Sequence, residues 1–281
     1  MTVDPPAGHP CVSQEDGVGG RFSGNIEPNK GAVMTNTLGF QMFSLREFEG
    51  GWSAAFEATK ELGIDTIEAW CGAVPDDPDT STSMDSIREA LSSVGMKLTC
   101  GHLTVAEFDS RYEQWRDLLL DFGSRDWVIP FAKGDSLEEW LDLLPKFREM
   151  AACLERDGLS LGYHNHHMEL VKMGDRYVME HLLDNMPELK GQFHIGQFLP
   201  ERGIVLSDWI RKYEGRVCSV HVNDANSSGA TRVGEGDCRA EEAIKTALDT
   251  GVDTFIMEVR LVRDTLEGVK RDVDFTRGLI G

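Results

Sequence analysis

Leu159-Ser160-Leu161-Gly162-Tyr163-His164-Asn165-His166-His167-Met168-Glu169-Leu170 passes from an apolar run straight into three histidines and a glutamate. The short apolar run reads as a buried strand, and polar ligand chemistry begins where that strand stops. Side chains alternate along a strand, so His164 and His166 share one face while Tyr163, Asn165 and His167 take the other. Glu169 follows just past the end, where the backbone turns. Imidazole and carboxylate are the donors expected around divalent Zn, Mn, Fe or Co, and histidine is also the usual proton carrier near neutral pH. A hydrogen bond to a backbone carbonyl would explain any one of these histidines; it does not explain the cluster.

Outward from this stretch the same pattern recurs. Short apolar runs fall at Leu38–Ser44, Thr66–Trp70, Lys97–His102, Trp127–Phe131, Leu159–His166, Gly191–Ile195, Val217–Val222 and Thr254–Glu258. Between them, apolar residues spaced by three and four predict helices at Trp52–Leu62, Met84–Val94, Ala106–Phe122, Leu137–Arg156, Arg176–Asn185, Leu206–Tyr213 and Ala240–Thr250. Gly63, Gly95, Gly158 and Gly251 each close a helix shortly before a strand. Eight strand–helix units predict an α/β fold of the closed (β/α)8 type, the TIM barrel, which takes roughly 250 residues. The other candidate is an open, doubly wound sheet. No glycine-rich fingerprint follows the first strand, so a dinucleotide-binding fold has little support.

The barrel is expected over residues 36–281. Residues 1–35 carry Pro5, Pro6, Pro10 and Pro28 with almost no apolar periodicity, and predict a disordered or loosely attached leader. Met34, just before the first strand, is an alternative start. The formal net charge is −20, from 48 acidic and 28 basic residues, which would repel nucleic acid and anionic membranes. Arg outnumbers Lys and acidic residues crowd the helices, the surface of a protein kept soluble in high salt or of an ordinary acidic cytosolic enzyme. Six scattered cysteines without a Cys-x-x-Cys pair predict reduced thiols and a cytoplasmic location. No stretch is long and apolar enough for a membrane span, and the N-terminus lacks a signal-peptide pattern. Homo-oligomerisation is expected from the extent of barrel surface.

Six of the eight histidines, His102, His164, His166, His167, His194 and His221, fall on or just after the C-terminal halves of predicted strands. Barrel enzymes assemble their sites at that end, so these residues would meet around one mouth. Glu68, Glu169, Asp224 and Glu258 occupy matching places. Glu258 is the sharpest of them, because Thr-Phe-Ile-Met-Glu ends an apolar strand on a carboxylate that such a strand would otherwise avoid.

These residues resemble the sugar phosphate isomerase/epimerase superfamily, the xylose isomerase-like TIM barrels, over residues 36–275 or so. The resemblance rests on Leu-Gly-Phe-Gln-Met-Phe-Ser-Leu-Arg at 38–46, Trp-Val-Ile-Pro-Phe at 127–131 and Leu-Gly-Tyr-His-Asn-His-His-Met-Glu at 161–169. It continues through Val-His-Val-Asn-Asp at 220–224, Val-Gly-Glu-Gly-Asp at 233–237 and Ile-Met-Glu at 256–258. It implies one divalent cation, Mn, Zn, Co or Mg with Mn favoured, held by residues of the later strands. Carried over by position, the ligands are Glu169, with His164 or His166 as alternatives, and His194, His221 and Glu258. His194 stands where that family has an Asp, and Gln197 where many members have a His.

Such a site would polarise a ketose or keto-sugar carbonyl and stabilise the enediolate left when a base removes the neighbouring proton. The expected base is His166, with His164 and Glu68 in reserve, since an imidazole needs little tuning at neutral pH. Gln41, His102, Gln197 and Asp224 are expected to line the mouth and bind substrate. Basic residues there are few, chiefly Arg46, Lys133, Arg232 and Arg260, which favours an unphosphorylated carbohydrate. The expected activity is a metal-dependent sugar isomerase or epimerase. A lyase or dehydratase acting on an inosose, 3-keto-sugar or keto-glycoside by β-elimination is the alternative. A non-catalytic sugar-binding barrel and a metal-dependent endonuclease are less favoured, the latter because the surface is acidic.

Overall fold

The computed structural model describes residues 36–74, 83–259 and 266–281. The expected leader at 1–35, Met34 and Arg260 lie outside the described residues. Eight parallel strands run Thr37–Gln41 (β1), Thr66–Trp70 (β2), Lys97–His102 (β3), Asp126–Ile129 (β4), Ser160–His164 (β5), Lys190–His194 (β6), Val217–Val222 (β7) and Thr254–Met257 (β8). They form a closed barrel in chain order, with β8 pairing back onto β1 through Thr37↔Thr254 to Phe40↔Met257. This is the (β/α)8 barrel expected from the spacing.

Each strand is buried on both faces because helices cover the outside and side chains fill the inside. Outward-facing Phe40, Trp127, Tyr163, Phe193 and Phe255 belong to the main hydrophobic core with helix residues such as Phe56, Trp115, Phe147 and Ile244. Inside the barrel, Cys100, Val128 and Ile256 form a small apolar plug with Cys218 against it. Gly162 of β5 lets that plug close. A Cβ there would lie 3.1 Å from Val128 Cγ2 and 3.2 Å from Cys218 Sγ. His102 and Glu258 lie two residues beyond Cys100 and Ile256, so the layer above the plug is polar and opens at the C-terminal end of the strands.

Three expected limits, of two helices and one strand, shift for local reasons. The helix expected over Leu137–Arg156 is two, Leu137–Leu141 and Leu144–Arg156; Pro145 opens the second and has no N–H to bond back to Leu141. The helix expected from Arg176 starts at Val178, because Arg176 and Tyr177 pair with Lys172 and Met173 in a small hairpin. The first strand ends at Gln41, whose side chain accepts from Phe43 N and caps the turn Met42–Leu45. Gly63, Gly95, Gly158 and Gly251 all take positive φ. The hairpin Asp224–Asn226 with Gly229–Thr231 and the helix Leu266–Ile280 that completes the outer ring were likewise not anticipated.

Among the described residues no helix is long and apolar enough to cross a membrane. Cys71, Cys100, Cys218 and Cys238 are free thiols.

Candidate functional site

Strands β5 to β8 bring four groups together at the C-terminal mouth. One donor atom each from His164 (β5), His194 (β6), His221 (β7) and Glu258 (just after β8) lie within 4.8 Å of one another. His194 Nδ1 is 3.0 Å from Glu258 Oε2 and 3.2 Å from His164 Nε2, and His221 Nδ1 is 2.9 Å from the same Glu258 oxygen. Parallel register explains the convergence, since His194 and His221 are direct partners on β6 and β7. His221 is fully buried, whereas the Glu258 side chain is 17% exposed; the latter opens with His194 onto a cavity of about 670 Å³ lined also by Phe43, Asn223, Thr231 and Arg232.

A second layer lies beneath. Glu68 Oε1 accepts from Gln192 Nε2 at 2.7 Å and from the Cys100 thiol at 2.8 Å, and Oε2 accepts from the Gln41 amide. The same Oε2 is 2.8 Å from His221 Nε2, although that nitrogen lies off the hydrogen-bond line and has no bonded partner. Glu68, His102 and His221 form a second cluster of possible donors, but Glu68 and His102 are already engaged in this hydrogen-bonded layer.

The electrostatics follow from burial and these neighbours. Burial pushes Glu258 up, but His194 and His221 outweigh it and hold the carboxyl well below its usual range. Glu68 is lowered for the same reason, by His102 and His221 against burial. Burial acts to lower His221, yet Glu68 and Glu258 on either side raise it to about 9. His164 falls well below the usual imidazole value through burial and the surrounding imidazoles, and His102 is lowered chiefly by burial. Thus Glu68 and Glu258 are charged and His164 is neutral. Three imidazoles and a carboxylate, buried and facing one another, are a donor set that fits a divalent cation.

His166 lies in the loop after β5, with its ring centroid 4.8 Å from that of His164 and 6.1 Å from that of His194. The two histidines lie together as expected, although the strand stops at His164 and it is the loop that carries His166 there. Burial and His194 lower its pKa to about 4, and its Nδ1 is buried with no partner.

Five further expected site residues stand outside the four-group cluster. Glu169 stands apart from both clusters: Oε1 accepts from the Tyr163 hydroxyl at 2.7 Å and Oε2 from His166 N at 2.8 Å, so it ties the loop to β5. Burial raises its pKa. Expected as a cation ligand, Glu169 lies outside both donor clusters, whereas His164, its alternative, belongs to the four-group cluster. Asp224 lines the cavity as expected, and its carboxylate accepts from the backbone N–H groups of Ala225, Gly234, Gly236 and Cys238, which organises the loop after β7. Gln41 and His102 sit below the mouth. Gln41 Nε2 meets Glu68 and, at 3.1 Å, His102 Nδ1, while His102 Nε2 contacts Gln192 Oε1 at 2.5 Å. Gln197 lies partly buried in the turn Ile195–Gln197, outside the cavity lining.

The sequence reading passed over Gln192, Ser219 and Asn223. Gln192 and Ser219 each lie two residues before a histidine of the cluster, and this alternation was the available signal. Asn223 accepts from Gly196 N through Oδ1, and its amide nitrogen contacts His194 Nε2.

No protein-family model matches this chain, and no curated protein matches it in sequence. Solved structures do match. A sugar phosphate isomerase/epimerase from Parabacteroides distasonis superposes with a TM-score of 0.70 at 17% identity, covering 87% of this chain and 97% of that one. The fold is that of the xylose isomerase-like TIM barrels. A probable 3-DHS dehydratase involved in petrobactin synthesis in Bacillus anthracis gives 0.67 at 14% identity, over 86% of this chain and 98% of that one. The E. coli 3-keto-D-glucoside 4-epimerase gives 0.63 at 13%, over 87% and 100%. In this xylose isomerase-like barrel the polar layer occupies the end of the strands at which barrel enzymes carry their chemistry.

Proposed function

We propose that the protein is a divalent-metal-dependent enzyme that removes the proton next to the carbonyl of an unphosphorylated ketose or keto-sugar, as an isomerase or epimerase. The observation that carries this reading is the convergence of His164, His194, His221 and Glu258 at the mouth of the barrel. When bound there, a divalent cation supplies Lewis acidity, polarising a carbonyl and stabilising negative charge on its oxygen. Three imidazoles with one carboxylate suit borderline cations such as Zn, Co or Fe better than Mg, and shift the preference away from Mn.

His166 is the base. With a pKa of about 4 it is a neutral imidazole at neutral pH, ready to accept a proton but only weakly basic. A substrate acidified at its carbonyl is therefore required. The cavity beside Glu258 and His194 takes the carbohydrate. Arg232, the basic residue that lines it, is paired with Asp272 at 2.8 Å, which leaves the subsite poorly charged for a phosphate and matches a neutral sugar.

One observation favours a second reading, β-elimination from a keto-sugar or inosose. His166 belongs neither to the four-group cluster nor to the hydrogen-bonded layer around Glu68, while the carboxylates other than Glu258 that line the cavity, Asp224 and Asp272, are engaged by backbone N–H groups and Arg232. Epimerisation needs proton delivery to the opposite face, whereas 1,2-isomerisation and elimination need one base on one side. Incubation with ketoses and 3-keto-glycosides in heavy water tests both readings. Deuterium incorporation with interconversion supports the isomerase, and an unsaturated product absorbing in the ultraviolet supports the lyase. No exchange into any keto-sugar in the presence of Zn, Co, Mn or Fe contradicts both.

A further inference from the structure

Gln192 is buried on β6 beneath the four-group cluster, and both ends of its carboxamide are engaged. Oε1 lies 2.8 Å from His164 Nδ1 and 2.5 Å from His102 Nε2, while Nε2 lies 2.7 Å from Glu68 Oε1 and 2.8 Å from Ser219 Oγ. Shape alone does not orient an amide; its neighbours do. Glu68 receives the Gln41 amide and the Cys100 thiol as well, so it acts as acceptor and the end of Gln192 that faces it is the NH2. Oε1 then faces two imidazoles and can only accept, so each of them must present an N–H. His102 carries its proton on Nε2 and takes the Gln41 amide on Nδ1 at 3.1 Å. His164 carries its proton on Nδ1 and keeps its lone pair on Nε2, the nitrogen turned towards His194 Nδ1 at 3.2 Å.

We infer that Gln192 is a positioning residue: oriented by Glu68, it fixes His164 in the Nδ1–H tautomer and so points the Nε2 lone pair into the cation cluster. The inference rests on the proposed role of His164 as a ligand. Partners of this kind, bonded to the far nitrogen of a ligand imidazole, orient the ring and raise its donor strength. Here a carboxamide does this, and it passes the acceptor character of a carboxylate one residue further from the metal. A methionine of similar volume would fill the space and leave the tautomer of His164 unassigned.

The test uses the full-length protein labelled with ¹⁵N-histidine. In the metal-free wild type, long-range ¹H–¹⁵N spectra should show His164 protonated at Nδ1; protonation at Nε2 overturns the inference with no variant needed. Cobalt(II) titration, followed by its visible absorption, should show Gln192→Met binding about 10- to 100-fold more weakly than wild type, with a changed band. Gln192→Glu keeps an oxygen against His164 and can share a proton with Glu68, and it should recover most of that affinity. Unchanged affinity in Gln192→Met, or equal weakening in both variants, contradicts the inference. If Gln192→Met does not fold, the wild-type tautomer and Gln192→Glu decide. A wild type that binds no cobalt(II) removes the proposed function instead, and the tautomer measurement still tests the orientation of Gln192.

Discussion

Glu258 and Glu169 are both glutamates at the C-terminal rim, and the structure uses them in opposite ways. Glu258 faces two imidazoles, so Glu258→Gln should abolish both cation binding and proton exchange. Glu169 faces a tyrosine hydroxyl and a backbone N–H. Glu169→Gln should instead keep cation stoichiometry and cost about 1–3 kcal/mol in denaturant unfolding, because a donor replaces an acceptor in a buried network. Glu258 was legible in the sequence because a carboxylate closes an apolar strand. Glu169 was misread because strand alternation stops at His164 and a loop decides the rest. Gln192 was overlooked because a neutral amide draws no notice, although its spacing from His194 put it in the same inward row. His221 gives a pH prediction. Its pKa is raised to about 9 between Glu68 and Glu258, above the 6.5 of an ordinary imidazole. In the metal-free protein its stabilising contribution is full below about 6.5 and is lost as pH rises through 9. A cation must displace that proton, so apparent affinity should climb with pH up to about 9 and flatten above it. Calorimetry in buffers of different ionisation heat should find about one proton released per cation at pH 7, and uptake independent of pH would contradict this.

At the scale of elements, β5 and its following loop form the most specialised unit. The Tyr163 hydroxyl accepts from Ala132 N at 3.0 Å and donates to Glu169, which links the loop after β4 to the loop carrying His166. Tyr163→Phe leaves a partly buried N–H and a buried carboxylate short of partners. It should lower stability by about 1–3 kcal/mol and reduce turnover through a displaced His166, with cation affinity little changed; thermal unfolding and exchange kinetics check this. Strands β2, β3 and β7 were read from the sequence with their observed limits, since Val, Ile, Leu and Ala fill short runs between turn signals. Helix ends were less legible wherever tertiary pairing or a proline intervened, as at Arg176 and Pro145. The helix Leu266–Ile280 buries Val269, Val273, Thr276 and Ile280, a helical spacing that was present in the sequence but diluted by the charged residues between.

For the whole molecule, the barrel makes residues from opposite ends of the chain neighbours, and this made the site partly predictable. Once the closed topology is accepted, residues that end strands must face one mouth. The chain's charge is a property at this scale too. A formal charge of −20 opposes compaction, so Tm should rise as salt increases from about 0.05 to 0.5 M, where the Debye length shortens to a few ångströms; a flat scanning-fluorimetry profile would show that the repulsion is already offset. The central claim is that four side chains from four successive strands seat one divalent cation. Equilibrium dialysis of the purified, chelator-stripped protein against Zn or Co, followed by elemental analysis, tests it most directly. The account predicts one tightly held cation per chain in the wild type and none in Glu258→Gln, while a wild type that retains no cation, or a variant that retains as much, would contradict it.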